Sequence, residues 1–435
     1  MTNNNDSSLK SRLISSLSWN ILSFGSSQAL RVLSNIVLTK LLYPEAFGLM
    51  TLTQSIIFGA TMLTDLGVKT VIIQDPIGDN QEFLNTAWLM HALQGLIVFI
   101  LTIPLSFWAA AHYHQPELKL LIIATGLSTI VSCLESTKIT SARRRLQLKE
   151  VTILALSSQV ASIAVTLLFA WQLKNVWSIV IGNLAGIFLN TVFSHIYIAG
   201  ENNKFQFNAA YAKKIFNFSQ WIFISSSLTF FAGEGNKLLI GTFMPLKDLA
   251  VYGIAANLSG LSWLLTQVFS SSLYPAYTEV YRTTPEKFNQ LLTKSRLLLI
   301  NSSAIISLML VIAGPKLTTL LYDSRYDGVG EYLRILALGA IIASVNTSYM
   351  GVLFAINKAK LSTYLLIIQI IAQYFCVYIG YQINGSIGIV VGISILNILM
   401  YIFYSLFHYH LKIWQPKIDL PYILLSIVLT FILYK

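Results

Sequence analysis

The sequence has 435 residues, of which 55% are hydrophobic and only 11% are charged, and its mean hydropathy is +0.66. Because a soluble domain carries about 25% charged residues, this composition excludes a soluble protein and indicates an integral membrane protein. The two cysteines, Cys133 and Cys376, lie in apolar segments, which excludes a disulfide framework or a cysteine-based metal site.

The apolar segments predict the number of membrane spans, since a span needs about 20 mainly apolar residues. No small-residue cleavage site follows the first segment, so we interpret it as a retained span and not as a signal peptide. A further stretch, 420–434, is short and is either a marginal span or an interfacial helix. We predict an all-α membrane protein with about 12 spans: 15–38, 47–68, 85–108, 118–138, 151–171, 176–198, 218–242, 250–275, 296–313, 333–356, 361–382 and 386–408.

Lysine and arginine residues predict the orientation of the chain. With the N-terminus in the cytoplasm, 19 of these 29 residues lie on the cytoplasmic side, 8 lie on the other side, and Arg31 and Lys237 lie within spans. We therefore predict a cytoplasmic N-terminus, and the scatter of these cations over many short loops argues against nucleic-acid binding. The densest run, Arg143–Arg145, is expected to contact anionic lipid headgroups, with an anionic substrate headgroup as the alternative.

Two segments of the chain are similar to each other and indicate an internal repeat. Leu38–Met50 and Ile240–Tyr252 each contain a helix end, a short turn with a proline and an acidic residue, and the start of another helix. Their offset of about six spans predicts two pseudo-symmetric six-helix lobes around a central cavity. The predicted divisions are an N-terminal lobe, a cytoplasmic linker, a C-terminal lobe and a short apolar segment, at 1–198, 199–217, 218–410 and 411–435.

Four charged residues lie inside predicted spans, where a charge costs several kcal/mol, about 2.5–3.5 on insertion scales. They are Arg31, Asp65, Glu234 and Lys237. Helical spacing places Arg31 on one face with Gln28 and Asn35. Under the repeat, Asn35 corresponds to Lys237, so two cations at similar depth in opposite lobes form a candidate site for a diphosphate. Because buried carboxylates can bind a proton or a sodium ion, Glu234 and Asp65 are the candidate ion-coupling residues.

The alternative is that these charges pair only with each other. Glu234 and Lys237 are three residues apart on one helix and can neutralise each other. Arg31 and Asp65 lie on adjacent spans and could form a second pair. Gly233 and Gly235 flank Glu234, and we expect them either to loosen the helix there or to allow close helix packing.

Motifs typical of enzymes are missing from the sequence. It contains no G-x-x-x-x-G-K-[ST] loop, no H-E-x-x-H and no G-x-S-x-G. We therefore expect a protein that is not an enzyme, that does not hydrolyse ATP and that needs no cofactor.

Six short motifs occur in an order that resembles a known family. They are Phe47–Leu52, Thr64–Val68, Val71–Gln74, Ser141–Gln147, Asn236–Gly241 and Val251–Gly253. The sequence resembles the polysaccharide flippases of the colanic-acid exporter type, within the superfamily of multidrug, oligosaccharidyl-lipid and polysaccharide exporters (the MOP superfamily). The likeness extends over essentially the whole chain.

The resemblance implies alternating access between two six-helix lobes in a bacterial inner membrane. It implies a polyprenyl-diphosphate-linked oligosaccharide as cargo, held by a cationic cavity, and H⁺ or Na⁺ as coupling ion. A polysaccharide polymerase and a chain-length regulator are the expected protein partners. Relatives often carry an aspartate–arginine pair where this chain has Asn236 and Lys237, which replaces a bidentate contact with a point charge.

The sequence therefore predicts a flippase for lipid-linked oligosaccharide repeat units in surface polysaccharide synthesis. A cation-coupled multidrug exporter and a lipid II flippase are the alternatives with the same fold. A membrane glycan polymerase or ligase is less consistent with the sequence, because the external loops are too short to hold such an active site.

Overall fold

A computed structural model describes residues 3–356 and 358–433 and, within this range, all side chains except those of residues 3–17, 221, 263–272, 274–276, 350, 354 and 359. Every regular element in the described residues is a helix, which confirms the all-α class. Two compact units are present, one ending at Phe230 and the other beginning at Phe231. This boundary lies within a helix, whereas the sequence places the division in the polar stretch 199–217.

Unit 1 contains eight helices and nearly all of a ninth. Two of them begin next to an asparagine whose side chain accepts a hydrogen bond from a backbone N–H of the first turn. Asn80 accepts from Phe83 N at 3.1 Å and caps α4, and Asn208 accepts from Ala210 N at 2.9 Å at the start of α9. The helices are α1 (Asn3–Leu41), α2 (Pro44–Met62), α3 (Val68–Gln74), α4 (Gln81–His112), α5 (Glu117–Cys133), α6 (Lys138–Arg144), α7 (Leu148–Leu173), α8 (Trp177–Ile196) and α9 (Ala209–Ala232).

Unit 2 contains the remaining helices, and the last of them is the short C-terminal stretch. One helix, α15, has non-helical backbone at Asn384 and Gly385, so it consists of two arms. The helices are α10 (Gly235–Phe243), α11 (Leu246–Thr283), α12 (Pro285–Leu321), α13 (Val329–Thr347), α14 (Met350–Ala355), α15 (Ala359–His410) and α16 (Pro416–Leu433).

Each predicted span coincides with helix, but four predicted spans are interrupted. The span 47–68 is broken between α2 and α3, the span 118–138 bends by 61° between α5 and α6, the span 218–242 is broken between α9 and α10, and the span 333–356 is broken between α13 and α14. Among the described residues, eight helices are long and apolar enough to cross a membrane, or nine with the bent pair. The protein is therefore a multi-pass membrane protein.

The predicted linker is held on unit 1 by hydrogen bonds. The Asn203 side chain accepts from Thr137 N and from Ser136 Oγ, both at 3.1 Å, and donates to Thr137 Oγ1 at 2.7 Å. Asn208 N donates to Thr86 Oγ1 at 3.1 Å, immediately before α9 begins. The stretch before α9 is thus an ordered segment that is hydrogen-bonded to the helices of unit 1.

Small residues allow close contact between helices, as is usual in membranes, where packing replaces the hydrophobic effect between spans. Gly182 on α8 lies against Thr166 on α7, and Ser162 Oγ donates to Gly182 O at 2.8 Å. The two arms of α15 approach each other at Gly380 and Gly388, where a Cβ on Gly388 would lie 1.9 Å from Gly380 O. The turn between these arms uses Gly385 with a φ of 53°.

We predict that Gly388→Ala destabilises unit 2, because the added methyl group meets backbone that cannot move without separating the arms. Overpacking of this kind costs about 1–3 kcal/mol. Gly260→Ala is the matched control, since a Cβ there meets none of the described atoms within 4 Å. Thermal unfolding in detergent should show a lower midpoint for Gly388→Ala only; equal midpoints would contradict the close approach.

Candidate substrate and coupling site

The polar face of α1 presents the first of the predicted site residues. Gln28 and Asn35 are half-buried, and Arg31 between them is exposed. The helix packs on α7, where Gln159 Nε2 donates to Ser27 O at 3.0 Å. Arg31 forms no salt bridge with any carboxylate in the described part of the chain. Its guanidinium is therefore available to a ligand.

Asp65 lies in the break between α2 and α3 and is bound by neutral donors. Its carboxylate accepts from Gly67 N at 2.8 Å and from Ser226 Oγ on α9 at 3.2 Å. Gly67 has a φ of 60°, and a Cβ there would lie 1.9 Å from the Ile222 side chain, so the break requires glycine. The alternative pairing of Asp65 with Arg31 is wrong for the described residues.

Glu234 and Lys237 form the ion pair that their spacing predicts. Lys237 Nζ donates to both carboxylate oxygens of Glu234, at 2.9 and 2.8 Å. Glu234 lies in the break between α9 and α10, so the helix is interrupted at the Gly233–Gly235 segment. The side chains stay about a third exposed, at 30% for Lys237 and 35% for Glu234, so a competing ion can reach the pair.

A second polar cluster in unit 1 escaped the sequence analysis. Glu135, in the bend between α5 and α6, accepts from Lys69 Nζ at 3.2 Å and from Asn190 Nδ2 at 2.8 Å. Lys69, Glu135 and His91 line a cavity of about 10 Å³, which has room for about one water molecule. Glu135 lies at the bend in the span 118–138, and the sequence prediction treats that span as continuous.

The arginine run at the end of α6 has a structural role that the sequence did not indicate. Arg144 Nη1 donates to Ile72 O at 2.7 Å and to Ile73 O at 2.9 Å, at the end of α3. Arg144 and Arg145 also pair with Asp79, and the Arg145 hydrogen bond holds the pKa of that carboxyl below its usual value. Arg143 is exposed and remains suited to a headgroup contact.

Unit 2 contains a buried ion pair whose cation, Arg296, is one of the 19 lysine and arginine residues that the predicted topology assigns to the cytoplasmic side. Arg296 on α12 and Asp419 on α16 are both fully buried, and Arg296 Nη2 donates to Asp419 Oδ1. The Arg296 guanidinium lies over the Tyr349 ring, 3.5 Å from its centroid, and Tyr349 OH donates to Asp419 Oδ2 at 2.8 Å. Further contacts come from Ser348, Gln415 and Tyr401.

These contacts show that the C-terminal stretch belongs to unit 2. Arg296 lies 123 residues before Asp419, and Gln415 just before α16 also donates to Thr293 Oγ1 on α12 at 2.9 Å. Ser426, further along α16, donates to Leu338 O on α13 at 2.9 Å. The helix is therefore anchored by polar contacts at its start and in its middle. The sequence did contain an indication of this polar contact, because the acidic residue Asp419 directly precedes the last apolar stretch.

A cleft of about 360 Å³ in unit 2 is lined by three carboxylates, those of Asp248, Asp327 and Glu331. Ser386 donates to Asp248 Oδ2 across the cleft. The described residues contain no group of side chains that could hold a metal ion. The cleft is thus a polar surface without a recognisable metal site.

Comparison with known proteins identifies the family. The family described as "Polysaccharide biosynthesis protein" matches residues 37–297, more than half of the sequence. The chain belongs to this family. It is also 22% identical over 447 residues to the lipopolysaccharide biosynthesis protein WzxC of Escherichia coli (strain K12), covering 98% of this chain and 89% of WzxC.

Solved structures confirm the fold of the MOP superfamily. The lipid II flippase MurJ in an inward closed conformation superposes with a TM-score of 0.72 and 14% identity, covering 95% of this chain and 91% of MurJ. An inward-facing multidrug transporter of the MATE family, also in the MOP superfamily, gives a TM-score of 0.69 and 15% identity, covering 88% of this chain and 95% of that one. The predicted resemblance is thereby confirmed.

We predict that Arg296→Met destabilises the protein by about 3–5 kcal/mol, because it leaves the Asp419 carboxylate buried without its cation. The double variant Arg296→Met/Asp419→Leu should regain most of this loss, since no buried charge remains. Arg325→Met is the control, because it breaks the solvent-accessible Arg325–Asp323 pair, which should leave the unfolding midpoint nearly unchanged. Thermal unfolding tests the series, and a double variant as unstable as the single would contradict the explanation.

Proposed function

We propose that this protein flips polyprenyl-diphosphate-linked oligosaccharide repeat units across the bacterial inner membrane for surface polysaccharide synthesis. Membership of the polysaccharide biosynthesis family supports the pathway, and the similarity to WzxC over 98% of the chain supports the substrate class. The lipid tail would stay in the bilayer while the sugar crosses through a polar path.

The observation that carries this proposal is Arg31. It is an exposed guanidinium on the polar face of α1, and no described carboxylate neutralises it. A cation in that position is costly unless a ligand or water compensates it, and a diphosphate accepts the parallel hydrogen bonds of a guanidinium well. In a transporter of cationic drugs, the same arginine would repel the cargo. Gln28 and Asn35 on the same face would donate further hydrogen bonds to the cargo.

Lys237 is the second proposed contact, and its pairing with Glu234 suggests how an ion would couple to the cargo. A diphosphate that binds Lys237 has to displace the Glu234 carboxylate. A proton or sodium ion on Glu234 would stabilise the displaced carboxylate, so ion and cargo would bind cooperatively. Asp65, bound by neutral donors in unit 1, is the other proposed coupling residue.

We further propose about 12 spans in two six-helix lobes with a cytoplasmic N-terminus. Two compact units support two lobes. The turns of the repeat also agree locally, since Tyr43 before α2 and Pro245 before α11 both have extended backbone, with ψ near 152° and 151°. Lys138 and Arg296 are buried in polar contacts and carry little topology information, and without them 17 cytoplasmic cations still face 8.

We predict that Arg31→Ala lowers surface glycan about 10–100-fold, which corresponds to the loss of one charge-assisted contact of about 1.5–3 kcal/mol. Arg31→Lys should give an intermediate level of surface glycan, because it keeps the positive charge but loses the two parallel N–H donors of the guanidinium. Complementation of a strain that lacks a flippase for the same repeat unit measures this, with membrane levels of each variant checked by immunoblot. Lys149→Ala removes an exposed cation on α7 and is the control. Normal glycan in Arg31→Ala would reject the contact.

We predict that Glu234→Gln weakens the dependence of transport on pH or on sodium, because it removes the carboxylate that would take up the ion. Flipping in vesicles, measured with and without an imposed gradient, tests this. Glu150→Gln, at an exposed glutamate on α7, controls for the loss of a negative charge. An ion dependence equal to that of the wild type would assign Glu234 to structural pairing only.

A further inference from the structure

The ring of Tyr349 lies at the centre of the contacts that attach the start of α16 to the rest of unit 2, beside the direct Arg296–Asp419 pair. The Tyr349 hydroxyl donates a hydrogen bond to Asp419 and accepts one from Gln415 N at 3.1 Å. The Arg296 guanidinium covers the ring at 3.5 Å from its centroid. Any change in the charge next to this ring will therefore alter the attachment of α16.

His408, near the end of α15, lies against the same ring and is fully buried. Its ring centroid is 3.9 Å from that of Tyr349 and 5.7 Å from that of Tyr404. Within the part of the chain that the structure describes, neither ring nitrogen of His408 has a hydrogen-bond partner. A buried polar group without a partner costs about 1–3 kcal/mol. Stability alone would favour an apolar ring such as phenylalanine at this position.

The charges around His408 are balanced only while its imidazole is neutral. The groups that face it are Arg296 on α12, Tyr349 before α14, Tyr404 on its own helix and, through the Tyr349 hydroxyl, Asp419 on α16. Arg296 and Asp419 cancel each other. A proton on His408 would add a second cation next to the Tyr349 ring, which already binds Arg296. The single carboxylate of Asp419 would then have to balance two positive charges. Protonated His408 and docked α16 are therefore mutually unfavourable.

We propose that His408 is a proton-binding site and that proton binding there releases the start of α16 from unit 2. When Asp419 leaves, the Tyr349 face opens to solvent, and the imidazolium can be hydrated. The ligand is a proton, and the inference does not depend on the identity of the transported cargo. It assigns a function to a buried histidine whose nitrogens otherwise only cost free energy.

The sign and size of the effect follow from proton linkage. A solvated histidine has an ordinary pKa of about 6.5, so the released state takes up a proton below that pH and the docked state does not. Docking is thus strongest above about pH 6.5 and weakens as the pH falls. If only the released state is protonated, the ratio of released to docked protein rises about tenfold between pH 8 and pH 5.5.

Distances between two spin labels, one on α16 and one on α12, test this in the full-length protein in lipid nanodiscs. Leu424→Cys and Ile305→Cys provide exposed label sites, with Cys133 and Cys376 changed to serine. The pH series is run with and without Gln415→Ala. That change removes hydrogen bonds to Arg296 and Thr293, so that both states are populated.

The matched variants are His408→Phe and, at an exposed histidine two residues further along the same helix, His410→Phe. We expect the released population to rise about tenfold at low pH with His408 present and with His410→Phe, and to stay constant in His408→Phe. His408→Gln is the second variant, which keeps a polar side chain without titration in this range. A pH response that persists in both His408 variants, or a distance distribution that never changes with pH, would overturn the proposal.

Discussion

The cost of a charge in an apolar environment is the constraint on which this structure depends. Membrane-spanning helices satisfy their own backbone, so side-chain charges are the groups that still need partners. Glu234 and Lys237 satisfy each other, Lys69 and Glu135 do so in unit 1, and Arg296 and Asp419 do so in unit 2. Of the four charged residues that first indicated a transport path, Arg31 and Asp65 have no counter-charge among the described residues. Asp65 accepts hydrogen bonds from neutral donors, whereas Arg31 is exposed, and we propose that Arg31 contacts a charged cargo.

The ion pairs differ in burial, and we propose that the buried pair is structural and the accessible pair is functional. Arg296 and Asp419 are inaccessible and surrounded by hydrogen-bond partners, so they fix the position of α16. A pair of this kind adds little net stability over an apolar equivalent, because desolvation offsets its attraction. We propose that the Arg296–Asp419 pair instead specifies where α16 docks and allows α16 to be released. Glu234 and Lys237 are about a third exposed, so ions and phosphate groups can compete for them directly.

The sequence was sufficient for features that depend on neighbours along the chain. Each predicted span coincides with one helix or with two helices separated by a break, Glu234 and Lys237 pair as their spacing of three residues predicts, and the glycines beside Glu234 mark a helix break. Features that depend on distant residues were missed. Lys69 and Glu135 are 66 residues apart, and Arg296 and Asp419 are 123 apart. No periodicity connects such positions, so Arg296 was counted as a topology signal and α16 was left outside the bundle.

Transport by the purified protein in proteoliposomes tests the central claim most directly. The substrates would be a fluorescent polyprenyl-diphosphate oligosaccharide, its monophosphate analogue, lipid II and a cationic dye. We predict protein-dependent translocation of the diphosphate-linked oligosaccharide, and much slower movement of the monophosphate, because the cationic contacts recognise the diphosphate. Efflux of the cationic dye without any movement of the lipid-linked oligosaccharide would contradict the claim.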